Sequence, residues 1–304
     1  MATVNASSGH KLGQLVGDWF EEFFVFPLLV KAGDKLNLFV DSRFVDRSVR
    51  SGKIIWNDLD GNAVDYDAVL ELGGSKTEKG IPVAFIECFW RRGSRHSKDK
   101  ARDDSGKLLP MRDTYPTARF LGIVSAGDFT TPARDLVRTR GIDLFYIPKA
   151  KIVQAFSECG LVVDYPDKLA EVEKSKLVQS FELEFDNNKK LEVKDKLLEL
   201  VGLTSINSYI ERLRSTLSAL PQEIRIILRH DSSPISFESV IEAGLFLEKP
   251  IFKMDSPIET YIYEVTYTDG SEFTKEVTSL KELKELHREI ELLETHMRKL
   301  LIFL

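Results

Sequence analysis

The chain has 304 residues, 43% of them hydrophobic and 30% charged, the balance of an ordinary soluble globular protein with room for one large domain or two smaller ones. A formal net charge of -6 excludes a uniformly basic nucleic-acid binder, and two cysteines, Cys88 and Cys159, exclude a disulfide framework or an all-cysteine zinc site. No run of about 18 apolar residues is present, so no membrane span is expected. The opening MATVNASSGHK lacks the basic-then-apolar order of a secretory signal, and the expected setting is cytoplasmic.

In chain order, residues 11–32 place apolar side chains at helical spacing, which predicts a long first helix with a bend near Pro27. Short apolar runs predict strands at 36–44, 67–72 and 81–89, the last with a middle buried on both faces. A polar helix follows over 97–113, with Ser97 as its cap and a break near Pro110. Strand 119–127, helix 130–141, strand 142–148 and helix 149–160 complete the order α-β-β-β-α-β-α-β-α. The early strands are close enough for hairpin links, and the later ones alternate with helices. Together they predict an α/β fold with a mixed sheet flanked by helices.

After about residue 165 the pattern changes to an α+β extension. Residues 168–180 read as an exposed helix or linker, and FELEFDNNKKLEV (181–193) as a hairpin turning at Asn187–Asn188. A helix over 200–220, a strand over 223–230 and a helix over 236–247 come next. A second hairpin over 259–277 turns at Asp269–Gly270. The final segment carries a heptad stripe through Leu283, Leu286, Ile290, Leu293, Met297, Leu300 and Leu304. Three repeats fit both a two-helix dimer seam and a long helix packed on its own domain.

Two charges stand out. Asp67 and Glu87 fall on apolar strand segments, where a carboxylate is costly unless something binds it. Alternation places Phe85, Glu87 and Phe89 on one face and Ile86 and Cys88 on the other, while Asp65 and Glu71 share the face of Asp67. Adjacent strands lie about 4.8 Å apart. Asp67 and Glu87 can therefore hold one divalent ion, with oxygens at about 2.0–2.1 Å if it is Mg²⁺. Beyond Glu87, eight basic residues (Arg91, Arg92, Arg95, Lys98, Lys100, Arg102, Lys107 and Arg112) outnumber three acids (Asp99, Asp103 and Asp104). Such a band focuses polyanion binding at one place in an otherwise acidic chain. No H-E-x-x-H, G-x-S-x-G or paired CxxC pattern is present, which removes support for zinc and serine hydrolases.

The element order and the two acids resemble the PD-(D/E)xK nuclease superfamily, whose fold is the restriction-endonuclease-like mixed sheet. The resemblance covers residues 1–160 as a nuclease core and leaves 161–304 as an extension for DNA recognition, dimerisation or both. It implies a Mg²⁺-dependent endonuclease of duplex DNA, with Mn²⁺ able to substitute. The expected type is a restriction enzyme, working as a homodimer beside a cognate methyltransferase. A repair or recombination nuclease and an inactive DNA-binding relative are the alternatives. Asp67 matches the first acid, with Asp65 competing, and Glu87 the second; the resemblance adds the Cys88 carbonyl as a metal ligand. The lysine position is Phe89, a departure from the motif. In some members this lysine moves to the next helix, and the segment ECFWRRGSRHSKDKA is similar to bacterial nuclease-like proteins of that kind. On that basis Lys100 is the displaced lysine, with His96 one helical turn before it. Arg91 or Arg92 is the alternative phosphate holder, and Arg91, Arg92, Arg95, Lys98 and Arg102 are the DNA contacts. In the related fold the first helix lends an acid, here Glu22 or Glu21.

Overall fold

The computed structural model describes residues 7–229, 231–250 and 260–302. The chain opens with α1 (Ser8–Trp19), which passes through a π-helical turn (Phe20–Val25) directly into α2 (Phe26–Leu36). Pro27 sits in the first turn of α2, where its missing N–H costs nothing, so the irregularity is the π turn and not a proline break. Asn37, in the left-handed conformation, ends the helix and feeds β1 (Phe39–Ser42).

A small hairpin of β2 (Ile54–Asn57) and β3 (Ala63–Tyr66), absent from the sequence reading, follows and leads into β4 (Ala68–Leu72). Then come β5 (Ile81–Arg91), α3 (Ser97–Thr114), β6 (Phe120–Gly127), α4 (Thr131–Thr139), β7 (Asp143–Pro148) and α5 (Lys149–Glu158). The main sheet has the order β1-β4-β5-β6-β7. Its first three strands pair antiparallel and its last three parallel, which gives the mixed sheet expected. Parallel strands are covered on both faces, and here the first helices, α5 and later helices cover one face while α3, α4 and the β2–β3 hairpin cover the other. Helix α3 starts after His96 and runs unbroken through Pro110. Ser97 lies inside it as the first residue, its Oγ donating to the carbonyls of Ser94 and Asp128.

The predicted hairpin at 181–193 is instead two helices, α6 (Glu171–Glu184) and α7 (Asn187–Val201). A strand would put Phe181, Leu183 and Phe185 on one face, yet Phe181 and Phe185 are buried and Leu183 is 85% exposed. The period is four, not two. The Asp-Asn-Asn segment is a helix start, with Asp186 Oδ1 accepting the Lys189 N–H at 2.8 Å. Helix α8 (Leu203–Ser218) completes this layer, whose Val193, Leu197, Tyr209 and Leu213 join the same core as Trp19, Phe24 and Phe156. A division at residue 160 thus cuts a shared core. The second core begins after α8, around β8 (Pro221–Leu228), β9 (Asp231–Phe237), α9 (Val240–Glu248), β10 (Tyr261–Tyr267) and β11 (Glu272–Val277). These strands form a four-stranded sheet in the order β11-β10-β8-β9, and the hairpin at Asp269–Gly270 is present as expected.

The heptad stripe lies on α10 (Leu280–Ile302) and is consumed inside the chain. Leu283, Leu286 and Ile290 pack in the second core, and Leu293, Met297 and Leu300 in the first. Leu304 lies outside the described residues. The stripe is therefore a strut between two cores and gives no support to a dimer seam. No helix among the described residues is long and apolar enough to cross a membrane.

One buried ionic network fixes the edge of the main sheet. Arg47 Nη1 meets Asp41 Oδ2 at 2.7 Å and Glu71 Oε1 at 2.6 Å, Nη2 meets Glu71 Oε2 at 2.7 Å, and the remaining N–H groups donate to the Ser75 and Glu78 carbonyls. All five guanidinium donors are used. Glu71, expected on the face of Asp67, is thus committed to structure. Arg47→Ala leaves the fully buried Glu71 without its cation, while Asp41 keeps Arg50 at 2.9 Å, and is expected to cost about 3–5 kcal/mol, read by urea unfolding. A loss below about 1 kcal/mol would show that the network contributes no more than a surface pair.

Candidate active site

Asp67 occupies the single-residue link between β3 and β4. Ala68 pairs with Ile86, so Asp67 stands level with Glu87 on the neighbouring strand, and its Oδ2 accepts the Cys88 N–H at 2.7 Å. Glu87 is 1% exposed and points to the α3 side of the sheet, between Phe85 and Phe89. Its Oε2 takes Lys107 Nζ at 3.1 Å, while Oε1 is buried without a hydrogen-bond partner. Asp104 is also fully buried. Its Oδ1 takes Lys100 Nζ at 2.7 Å, and its Oδ2 is likewise unpartnered.

Lys100, Asp104 and Lys107 are spaced four and three apart, one stripe of α3 aimed at Glu87. The structure thus brings the expected Lys100 to the cluster, where it also lies 5.1 Å from the Phe89 ring centroid. It adds Lys107 and Asp104, two members of the charged band beyond Glu87 that the motif does not single out. The periodic spacing was the available signal. Phe89, at the motif's lysine position, packs edge-on against Phe129 in the core.

On the opposite side, the π turn presents Glu21, whereas Glu22 faces solvent. Of the two acids expected from the first helix, Glu21 is the one at the site. Glu21, Asp67 and the Cys88 sulfur place ligand atoms within 4.8 Å of one another. Arg43 Nη2 bridges Glu21 Oε2 at 2.7 Å and Asp18 Oδ1 at 2.6 Å.

The other expected residues lie at the margin. Asp65 is half exposed, with its carboxylate on Lys53 at 2.7 Å, so Asp67 and not Asp65 stands beside Glu87. Arg92 is held by the Tyr165 carbonyl and Asp167, and Arg91 folds back onto the Arg95 carbonyl. His96 precedes α3 with φ 63°, is exposed, and contacts Asp99 rather than the carboxylates. Arg95, Lys98 and Arg102 are exposed around the start of α3.

Burial is the leading electrostatic effect. It pushes the Glu87 carboxyl from 4.5 up to about 8, reinforced by the charges of Asp67 and Asp104 and opposed by Lys107 and Lys100. Asp104 is raised for the same first reason. Glu21 is pushed to about 7 by burial and then by Asp67, against Arg43. The Cys88 thiol is raised strongly by burial and by the neighbouring carboxylates, which keeps it protonated in the free protein. Two unpartnered buried carboxylate oxygens beside Asp67 fit a hard divalent cation, which prefers oxygen donors and offsets the repulsion among them.

No protein-family model matches this chain, and no curated protein matches it. Among solved structures it is similar to the crystal structure of a protein of unknown function, AF1548, with 15% identity and a TM-score of 0.30 over 64% of this chain and 98% of that one.

The raised carboxyls set a pH dependence. Between 4.5, the ordinary value, and about 8, folded Glu87 keeps a proton that the unfolded chain has released, so its contribution makes stability fall as pH rises across that window. Glu21 acts in the same direction up to about 7. In EDTA, Tm is expected to drop from pH 5.5 to 8.5, and Glu87→Gln to flatten the drop and exceed wild type at the alkaline end. A Glu87→Gln profile parallel to wild type would assign the slope to other groups.

Proposed function

We propose that the chain is a metal-dependent phosphodiester hydrolase acting on duplex DNA, a restriction-type endonuclease on the PD-(D/E)xK plan with its lysine displaced to α3. The observation that carries this reading is the buried pairing of Glu87 with Lys107 and of Asp104 with Lys100, with Asp67 level with Glu87 on the next strand, in which two carboxylate oxygens have no partner. Buried carboxylates left unpaired are retained where a cation is to be bound.

Asp67 and Glu87 would hold the metal, Mg²⁺ or in its place Mn²⁺, with the Cys88 carbonyl as a further oxygen donor. The metal would supply Lewis-acid polarisation of the phosphate and a more acidic bound water. Lys107 favours the ionised form of Glu87, the form that binds a cation. Lys100 and Lys107 bring positive charge to where a pentavalent phosphorane gathers negative charge. The exposed Arg95, Lys98 and Arg102 offer contacts to the DNA backbone, which position the duplex without reading its sequence. A cut through both strands needs two active sites or two successive nicks. A homodimer would supply the pair through a surface other than the α10 stripe.

A second reading, a DNA-binding relative without catalysis, is favoured by Phe89 at the motif's lysine position. One experiment separates the two: long unmethylated duplex DNA with Mg²⁺, an EDTA control, and Glu87→Gln. Discrete fragments that need both metal and Glu87 are expected, with DNA affinity of the variant within a few-fold of wild type. A metal-dependent smear would indicate a repair or recombination type of nuclease. Cleavage that persists in EDTA or in Glu87→Gln would remove this site from the chemistry. Salt-sensitive binding without cleavage would favour the inactive relative.

The lysines give a finer test. Lys100→Ala and Lys107→Ala are each expected to lower the cleavage rate about 10²-fold or more, while Lys98→Ala, exposed and remote from the carboxylates, is mild. The reverse order would place the reacting phosphate outside the α3 stripe.

A further inference from the structure

The ammonium of Lys100 is seated between two side chains that the core holds still. Its Nζ donates to Asp104 Oδ1 at 2.7 Å and lies over the Phe89 ring, 5.1 Å from the centroid. The lysine side chain is 28% exposed, whereas the Asp104 side chain is 1% exposed and Phe89 is buried against Phe129. Of the three, only the lysine is free to turn into water, and the other two decide where it stays.

Neither the helix nor the core gains from this arrangement. A helical pair four residues apart is favoured with the acid first, and here the lysine comes first. A buried carboxylate is costly even when half satisfied, and Asp104 Oδ2 has no partner. Ala101 and Leu108, on the same buried face of α3, show what packing alone would place there. What the buried acid supplies instead is a rigid anchor for a flexible side chain.

Phe89 gives that anchor its direction. Position 89 is where the motif's lysine would stand, on the same face of β5 as Glu87. The negative face of its ring favours a cation. Helix α3 thus delivers a positive charge to the patch of sheet that a lysine on the strand would have served.

We propose that Asp104 and Phe89 are positioning residues that hold the Lys100 ammonium in the place vacated by the motif's lysine. Asp104 acts through Lys100 and not by binding an ion or a phosphate itself. A charge fixed in advance needs no reorganisation when negative charge develops on a phosphate. The catalytic consequence rests on the hydrolase reading; the seating of the lysine does not.

The test reads the lysine directly, in ¹⁵N-labelled, metal-free, full-length protein. A lysine ammonium held by a buried carboxylate exchanges its protons slowly enough to give a ¹H–¹⁵N signal, assigned to Lys100 by its loss in Lys100→Ala. That signal is expected in wild type. In Asp104→Leu it is expected to vanish while Tm is kept or raised, because the buried charge is gone and Lys100 can turn into water. Asp104→Asn, of the same shape, keeps the test available if the leucine packs poorly. A neutral acceptor holds the ammonium less tightly, and exchange at least about tenfold faster is expected. Phe89→Leu is expected to move the signal downfield as the shielding of the ring is lost. On the hydrolase reading, Asp104→Asn lowers kcat about tenfold or more while KM for duplex DNA stays within a few-fold. Three results would overturn the proposal: no slow Lys100 signal in folded wild type, a signal unchanged in both Asp104 variants, or a Tm loss in Asp104→Leu as large as that of Arg47→Ala. A chain that shows the signal and its dependence on Asp104 but cuts no DNA would sink only the hydrolase reading.

Discussion

The site depends on the burial of Glu87 in a strand covered on both faces. A carboxylate at 1% exposure between two phenylalanines resists ionisation until a cation reaches it. Lys107 and Lys100 on α3 oppose that cost, Asp67 and Asp104 add to it, and the carboxyl retains its proton near neutrality. The sheet supplies the rigidity. The β5–β6 and β6–β7 ladders fix the backbone around Glu87, and the Arg47 network holds the far edge, where β1 meets β4.

Asp67 is the pivot between the two sides of that sheet. Facing α3, it meets oxygen donors and lysines; facing the first helices, it meets Glu21 and a thiol. Both Glu21 and Glu22 lie in the π turn, where Glu21 is half-buried toward Asp67 and Glu22 is exposed. Such turns are frequent at functional sites.

The two cores are joined by one helix. Along α10 the apolar stripe changes partner halfway, from the second sheet at Leu283, Leu286 and Ile290 to the helical layer at Leu293 and Met297. His296 donates to the Leu36 carbonyl at 2.8 Å, and Arg119 reaches across to the Ala219 carbonyl and the Asp269 carboxylate. These polar ties anchor the C-terminal sheet against the site-bearing sheet.

The sequence by itself determined the strands and helices of the main sheet in the first half, though not the β2–β3 hairpin or the π turn, together with the mixed sheet and Asp67 and Glu87 on neighbouring strands. These follow from local periodicity and from charge in apolar runs, both visible in short windows. It also carried the stripe of Lys100, Asp104 and Lys107, although the basic band around them obscured it. Tertiary structure decided the rest. It made helices of 181–193, because burial of Phe181 and Phe185 against Trp19 and Phe156 favours period four over an alternation that fits both. It chose Glu21 over Glu22, committed Glu71 to Arg47, and turned the heptad stripe inward. Each of those outcomes depends on which distant surface a side chain meets, and no spacing along the chain encodes that.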